Sequence, residues 1–481
     1  MEIFRRVTTT IYINVLKFLI FLLLISSSIM LGLNKFNNYV SLILFAIIIG
    51  FGIFVITNNK MSKSSKLILI LIVGFVLRIF WILNVNSLPS SDFDVMYKAA
   101  EQLLSGNTSA FHGTSYIARF PHLTIMVLYM ALVKKFFPNN SFIVMKSINL
   151  ILGLLTIYLV YKLVKEIFNS EKLALYASGL TSIFPSLITY VGVFCTENLA
   201  IPFYILSVYI FIMVMKNKVS KYYLVLSGVV LSLGNLFRMV ALVVIIAYIA
   251  YVILYNDDKL IDKFKKIFLF LISYLFVLIL VSSSLQFLKI TEFPLWNGSE
   301  PKITNVLKGT NIESGGRWNE EDASIVDKYN YDYAKIEKAS KEIILQRMTK
   351  TPPLILLGFY FKKYLSQWSL GDFGGVYWSK SNLNNDNIFL DLNDSNFQFP
   401  YVVVVFLIFL GLINRKKYNE NVEINLIYII VCGYGLMNLI TETQSRYSLI
   451  ASWLLIIVSV EGIKYIYVKL KKRKISLIGG N

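Results

Sequence analysis

The run LTIMVLYMALVKKFF, residues 123–137, decides how this chain is threaded. It is apolar enough for a membrane, yet it has 15 residues, where a helix needs about 20 to cross roughly 30 Å of hydrocarbon. It starts behind Pro121 and ends in Lys134-Lys135 and Pro138. Counted as a span, it puts Lys162, Lys165 and Lys172 outside and reverses every later loop. Read as a surface or re-entrant helix, it leaves the basic loops on one side. We adopt the second reading.

About twelve spans then remain, near 11–33, 39–57, 67–85, 141–164, 173–191, 198–215, 222–238, 239–255, 267–288, 399–414, 424–441 and 447–467. With the N-terminus inside, the cytoplasmic loops hold Arg5 and Arg6; Lys60, Lys63 and Lys66; the lysines at 162–172; Lys216, Lys218 and Lys221; Lys259, Lys263, Lys265 and Lys266; Arg415, Lys416 and Lys417; and Lys469, Lys471, Lys472, Arg473 and Lys474. The short outer loops hold few cations, Lys35 and Arg446 among them. Composition agrees: 481 residues, 56% hydrophobic and 16% charged, with a mean hydropathy of +0.64, describe an all-α polytopic membrane protein. The net charge of +19 is what such loops collect, so no nucleic-acid partner is inferred. The first apolar run lacks a small-residue cleavage site and reads as a retained span. Cys195 and Cys432 read as free buried thiols.

Two long segments fall outside, 86–140 and 289–398. The first opens with NSLPSSDFDVMYKAAEQLLSGNTSAFHGTSYIARFPH, residues 86–122. Asp92 and Asp94 head an amphipathic helix that Gly106 ends. Ser91-Asp92-Phe93-Asp94 fits a capping box, and Asp94 has Lys98 one turn on; these account for Asp94 and leave Asp92 without a structural task. Glu197 opens a later span at the same face, where the helix dipole would also favour an acid. Glu442 and Arg446 share a short outer loop; Arg446 could grip a phosphate or pair with Glu442. Arg238 and Arg119 occupy comparable rim positions. In 289–398, a helix is expected over about 333–351, stopped by Pro352-Pro353, followed by an interfacial helix whose Lys362 and Lys363 snorkel. His112 and His122 lack metal-ligand spacing.

The layout resembles the GT-C superfamily of integral-membrane glycosyltransferases, on the branch of protein O-mannosyltransferases and aminoarabinose transferases (glycosyltransferase family 39-like). The residues carrying the resemblance are Asp92-Phe93-Asp94-Val95-Met96-Tyr97-Lys98-Ala99-Ala100 with Gly106, then Tyr116 and Arg119-Phe120-Pro121-His122, Thr196-Glu197, and Arg446-Tyr447. The family's adjacent acid pair is split here by Phe93, and its double proline is Pro121-His122. The resemblance implies a GT-C-like bundle with outer surface helices and one larger outer loop region. It divides the chain into two extra N-terminal spans (1–66), a catalytic module (67–288), the outer region 289–398, and C-terminal spans with a basic tail (399–481).

It further implies inverting transfer of a sugar from a polyprenyl-phosphate donor to a glycan, lipid or protein acceptor at the outer face of a cell membrane. The abundant Ile, Lys and Asn fit a bacterial source. Asp92, Asp94 and Glu197 are the expected catalytic acids, with Asp92 the base. Arg446, Arg238 and Arg119 are the expected phosphate holders. A divalent metal, magnesium or manganese, is left open, with the three acids as its ligands. Two competing readings are an envelope polysaccharide polymerase or ligase, which would lean on outer arginines, and a lipid-linked sugar flippase, which would need a polar path across the bilayer.

Overall fold

The computed structural model describes residues 2–33, 39–380, 397–415 and 421–478. Residues 381–396 of the outer segment, with Lys35, Lys416 and Lys417, lie outside the described residues. Every apolar run named above is helical. In order, α1 is Glu2–Leu33, α2 Tyr39–Thr57, α3 Lys63–Asn84, α4 Asp92–Leu104, α5 Tyr116–Arg119, α6 Thr124–Phe136, α7 Ser141–Phe168, α8 Glu171–Ile183 and α9 Pro185–Thr189. Then come α10 Glu197–Met215, α11 Tyr223–Phe237, α12 Ala241–Tyr255, α13 Leu260–Phe287, α14 Ile303–Gly309, α15 Glu320–Ala323, α16 Ile325–Lys328, α17 Tyr333–Lys350, α18 Pro353–Trp368 and α19 Gly375–Lys380. The chain closes with α20 Gln398–Asn414, α21 Ile424–Ile440, a 3-10 turn Ser445–Ala451, and α22 Ser452–Ile478.

Among the described residues, six helices are long and apolar enough to cross a membrane, or eight if two bent pairs each count once. Five shorter apolar helices complete the set. This is a multi-pass membrane protein. The deciding run forms α6 and turns by 111° from the helical stretch before it. Pro121 and Pro138 bracket it, as proline without an N–H does at helix boundaries. Residues 222–255 are two helices, broken at Arg238–Val240, where Asn235 Oδ1 accepts from the Ala241 amide at 3.0 Å.

The run 173–191, expected as one span, is instead bent by 56° between α8 and α9. Pro185 cannot donate to α8, so carbonyls at its end need another donor. Arg78, fully buried on α3, supplies it: its guanidinium donates to Ser182 O at 3.1 Å and Thr181 O at 3.4 Å. Gly153 makes room, since a Cβ there would sit 2.8 Å from Arg78 Nε. Close small-residue packing also joins α20 to α22, where a Cβ on Gly462 would meet Leu407 O at 2.1 Å.

The 289–398 segment carries its own small core around Leu307, Ile325, Val326 and Ile336. Arg347 and the nearly buried Asp322 tie it with two hydrogen bonds of 2.8 and 3.2 Å. As expected, α17 stops at Pro352-Pro353. Lys362 is exposed, whereas Lys363, also expected to snorkel, is not. Lys363 is 1% exposed and donates to Gly309 O, Leu439 O and Thr441 O at 2.5–2.8 Å. Its three N–H groups thus cap the end of α21 and pin α14 against it. Burial lowers this amine to about 8, with Glu442 opposing the shift. Lys363→Met strands these acceptors, and we expect a loss of about 2–4 kcal/mol in unfolding stability. An unchanged thermal midpoint in detergent would mean the carbonyls find other donors.

Candidate active site

Asp92 starts α4 behind a strained residue. Ser91 has φ 50° and ψ −127°, a region glycine favours, and makes no side-chain cap. The capping box read from the sequence is therefore not formed; Ser91 Oγ lies 3.4 Å from Asp92 Oδ1. Asp94 does pair with Lys98, at 2.6 Å, on a half-exposed surface. Asp92 points the other way. Its Oδ2 accepts from Arg446 Nη2 at 3.3 Å, across 354 residues of sequence, and the Tyr116 hydroxyl donates to it as well.

Arg446 therefore pairs with Asp92 and not with Glu442. Its guanidinium lies against three rings, 4.8 Å from Phe93, 4.6 Å from Trp378 and 5.7 Å from Tyr447. Tyr447 carries a second cation, Arg238, at 4.9 Å. Arg238 in turn faces Glu197 at 3.4 Å. The result is one array, acid–arginine–tyrosine–arginine–acid, drawn from α4, the 3-10 turn, the α11–α12 break and the start of α10.

The loops bearing the two acids are laced together. Ser87 donates to Gly192 O at 2.8 Å, and a Cβ on Gly192 would sit 2.7 Å from that hydroxyl. Asn149, on α7, donates to Val191 O and Val193 O at 3.1 and 3.2 Å. Asn198 adds bonds to Tyr190 O and Val193 O. Lys146, 2% exposed and one turn from Asn149, reaches Asn86 Oδ1 at 3.3 Å. None of Lys146, Asn149 and Arg78 was singled out in the sequence. Polar residues three apart inside an apolar run were the available signal for the first two.

Arg119 and the metal left open from the sequence meet a different geometry. Arg119 is committed to Glu300, at 2.6 Å, and Glu300 is 1% exposed on its side chain and also takes Thr304 Oγ1 at 2.6 Å. That pair fastens α5 to the outer segment, beside the contact of Gly298 with Ala118 O and Arg119 O. The shared metal fails on geometry. Asp92, Asp94 and Glu197 each face a different cation, and among the described residues no three His, Cys, Asp or Glu side chains converge. The residues present do not fit a magnesium or manganese site. Both cysteines are free.

Buried polar atoms without a hydrogen bond lie on Arg446 and the loop before it: Arg446 Nε and Nη1, Thr443 Oγ1 and Gln444 Oε1. Native interiors seldom leave such groups unmatched, and a cluster of them marks where a polar ligand would be held.

Comparison with known proteins gives three results. The family model described as dolichyl-phosphate-mannose-protein mannosyltransferase matches residues 122–287, about a third of the chain. No curated protein matches. Among solved structures, the apo oligosaccharyltransferase of Archaeoglobus fulgidus is similar at 14% identity and a TM-score of 0.49, over 88% of this chain and 53% of that one. The same enzyme in complex with an inhibitory peptide and a dolichol-phosphate gives 15% and 0.46, over 87% and 52%. Its complex with zinc and sulfate gives 15% and 0.46, over 85% and 50%. The chain thus spans about half the length of these structures. Over residues 122–287, which hold Glu197 and Arg238 but neither Asp92 nor Arg446, it is similar to the dolichyl-phosphate-mannose-protein mannosyltransferases, the branch its own motifs resemble.

Proposed function

We propose that this protein transfers a sugar from a polyprenyl-phosphate carrier to a hydroxyl-bearing acceptor at the outer membrane face, with inversion at the anomeric carbon. The observation that carries this reading is the Asp92–Arg446 contact, which joins a carboxylate to an arginine with two buried, unspent nitrogens. An arginine in that state suits a phosphate, whose oxygens can accept from its unspent N–H groups. Nucleotide sugars stay in the cytoplasm, so an outer-face transferase needs a lipid-borne donor.

In the step proposed, the acceptor O–H bond breaks as Asp92 takes the proton, and the oxygen bonds the anomeric carbon. The carbon–oxygen bond to phosphate breaks, and its electron pair leaves on the polyprenyl phosphate. Charge grows on that phosphate as the oxocarbenium-like state forms, and Arg446 supported by Arg238 stabilises it. Glu197 holds Arg238 in place. Tyr116 orients Asp92. We assign Asp94 to the Lys98 pair and Arg119 to the Glu300 pair, outside the chemistry.

Reconstitution in liposomes with labelled polyprenyl-phosphate sugars and mixed acceptors tests the reading. Labelled acceptor is expected; lipid flux across the bilayer without any transfer would replace the enzyme with a flippase. A labelling experiment with single cysteines is expected to find the Asp92 loop and the 162–172 loop on opposite sides. Finding both on one side would overturn the threading.

A further inference from the structure

The buried acids of this region are matched within the protein: Glu197 by Arg238, Glu300 by Arg119 and Thr304, Asp322 by Arg347, and Asp372 by the amides of Gly374 and Val376. Glu442 is the exception. It is 7% exposed, yet no donor among the described residues reaches its carboxylate. A buried acid is costly unless paired, so an unmatched one needs a reason.

Its backbone is held with unusual care. The Glu442 amide donates to Asn305 Oδ1 at 3.0 Å, and the Thr443 amide to Gly316 O at 2.7 Å. Gln367 brackets Gln444 through both its amide and its carbonyl, at 3.1 and 2.7 Å. Lys363 fixes Thr441 O, and Gly309 is bare because a Cβ would strike Ile440 O at 2.4 Å. Three outer elements thus clamp residues 441–444 while leaving the Glu442 side chain unengaged. Its neighbourhood is charged on several sides: Lys308 from α14, Lys363 from α18, Asp92 from α4 and Arg446 from the following turn all act on it. Lys308 is the strongest of these and still makes no ion pair with it. Burial raises the carboxyl above the ordinary range, and Asp92 adds to the rise.

We propose that Glu442 accepts hydrogen bonds from hydroxyls of the donor's sugar ring, making it the residue that reads the sugar while Arg446 reads the phosphate. A carboxylate cannot face the phosphate itself. The sugar, however, is bonded directly to that phosphate, and Glu442 lies four residues before Arg446 on one clamped loop beside Asp92. This rests on the lipid-donor reading above.

The experiment measures binding, not transfer, with purified full-length protein in detergent. The probes are dolichyl phosphate and its mannosyl, glucosyl and N-acetylglucosaminyl derivatives. The wild type is expected to bind at least one sugar-bearing lipid more tightly than bare dolichyl phosphate. Glu442→Ala is expected to cut that preference by about tenfold or more, the worth of one charge-assisted hydrogen bond, with affinity for bare dolichyl phosphate unchanged. Glu442→Gln, which keeps one acceptor oxygen, falls between.

A second readout separates this role from a structural one. A carboxyl raised in the folded state lowers stability as pH climbs from the ordinary glutamate range through the raised value. Glu442→Gln is therefore expected to raise the thermal midpoint at neutral pH, the gain fading as pH falls. A variant less stable than wild type would mark Glu442 as structural and overturn the proposal. So would equal sugar preference in wild type and both variants, or a wild type that gains nothing from any sugar. If bare dolichyl phosphate itself fails to bind in an Arg446-dependent way, the lipid-donor reading falls first.

Discussion

Asp92→Asn is expected to leave a folded, membrane-inserted protein whose sugar transfer is slower by about 10²–10⁴-fold, the usual contribution of a positioned base. The substitution is mild for structure. Asparagine keeps an oxygen for Arg446 Nη2 and for the Tyr116 hydroxyl, and the Asp92 side chain is 37% exposed. What it removes is the capacity to take a proton. Turnover should therefore collapse while donor binding persists, and single-turnover rates with pre-bound donor separate the two. Asp94→Asn is the internal control. From sequence both aspartates were candidate acids, with Asp92 taken as the base; their separate partners in the structure predict that the Asp94 change costs only its Lys98 pair, a few tenths of a kcal/mol of stability, and leaves the rate intact. Full activity in the Asp92 variant, or loss in the Asp94 variant alone, would remove Asp92 from the chemistry.

How much of this was legible beforehand depends on the distance over which each feature is made. Helix positions follow from apolar runs and prolines, which are local. Most ends fell within a few residues, though α1 starts nine residues before the expected 11 and α22 runs eleven past the expected 467. The α8–α9 bend needs Arg78 from another helix to satisfy its carbonyls, and no local pattern announces that. Asp92, Glu197, Arg238 and Arg446 could be singled out as charges at one membrane face. Their order in the array could not, because Tyr447 joins the two arginines only after four elements converge. The partner of Arg119 was hidden for a related reason: Glu300 lies 181 residues away in a segment whose packing no periodicity reveals. The capping box failed because a sequence match says nothing of φ at Ser91. Lys363 looked like any interfacial lysine, since a side chain that snorkels and one that caps a helix share the same sequence context.

Arg446 is the position where a charge-preserving change should be nearly as damaging as deletion. Arg446→Ala leaves Asp92 without its cation and strips the donor phosphate of its holder; a hydrogen bond to a charged group is worth about 1.5–3 kcal/mol, so donor affinity should drop by at least roughly tenfold. Arg446→Lys keeps the charge and still fails. The guanidinium is flat, which lets it lie against Phe93, Trp378 and Tyr447 together, and its Nη2 serves Asp92 while Nε and Nη1 remain for a ligand. An ammonium has no plane to stack and is more strongly hydrated, so it cannot match both the rings and the fork. Donor affinity measured against salt decides between a specific grip and a diffuse field. A specific grip gives a loss in Arg446→Lys that persists at high salt. A wild-type affinity in Arg446→Lys would mean the site needs only positive charge here, and the fork would have no role in holding phosphate.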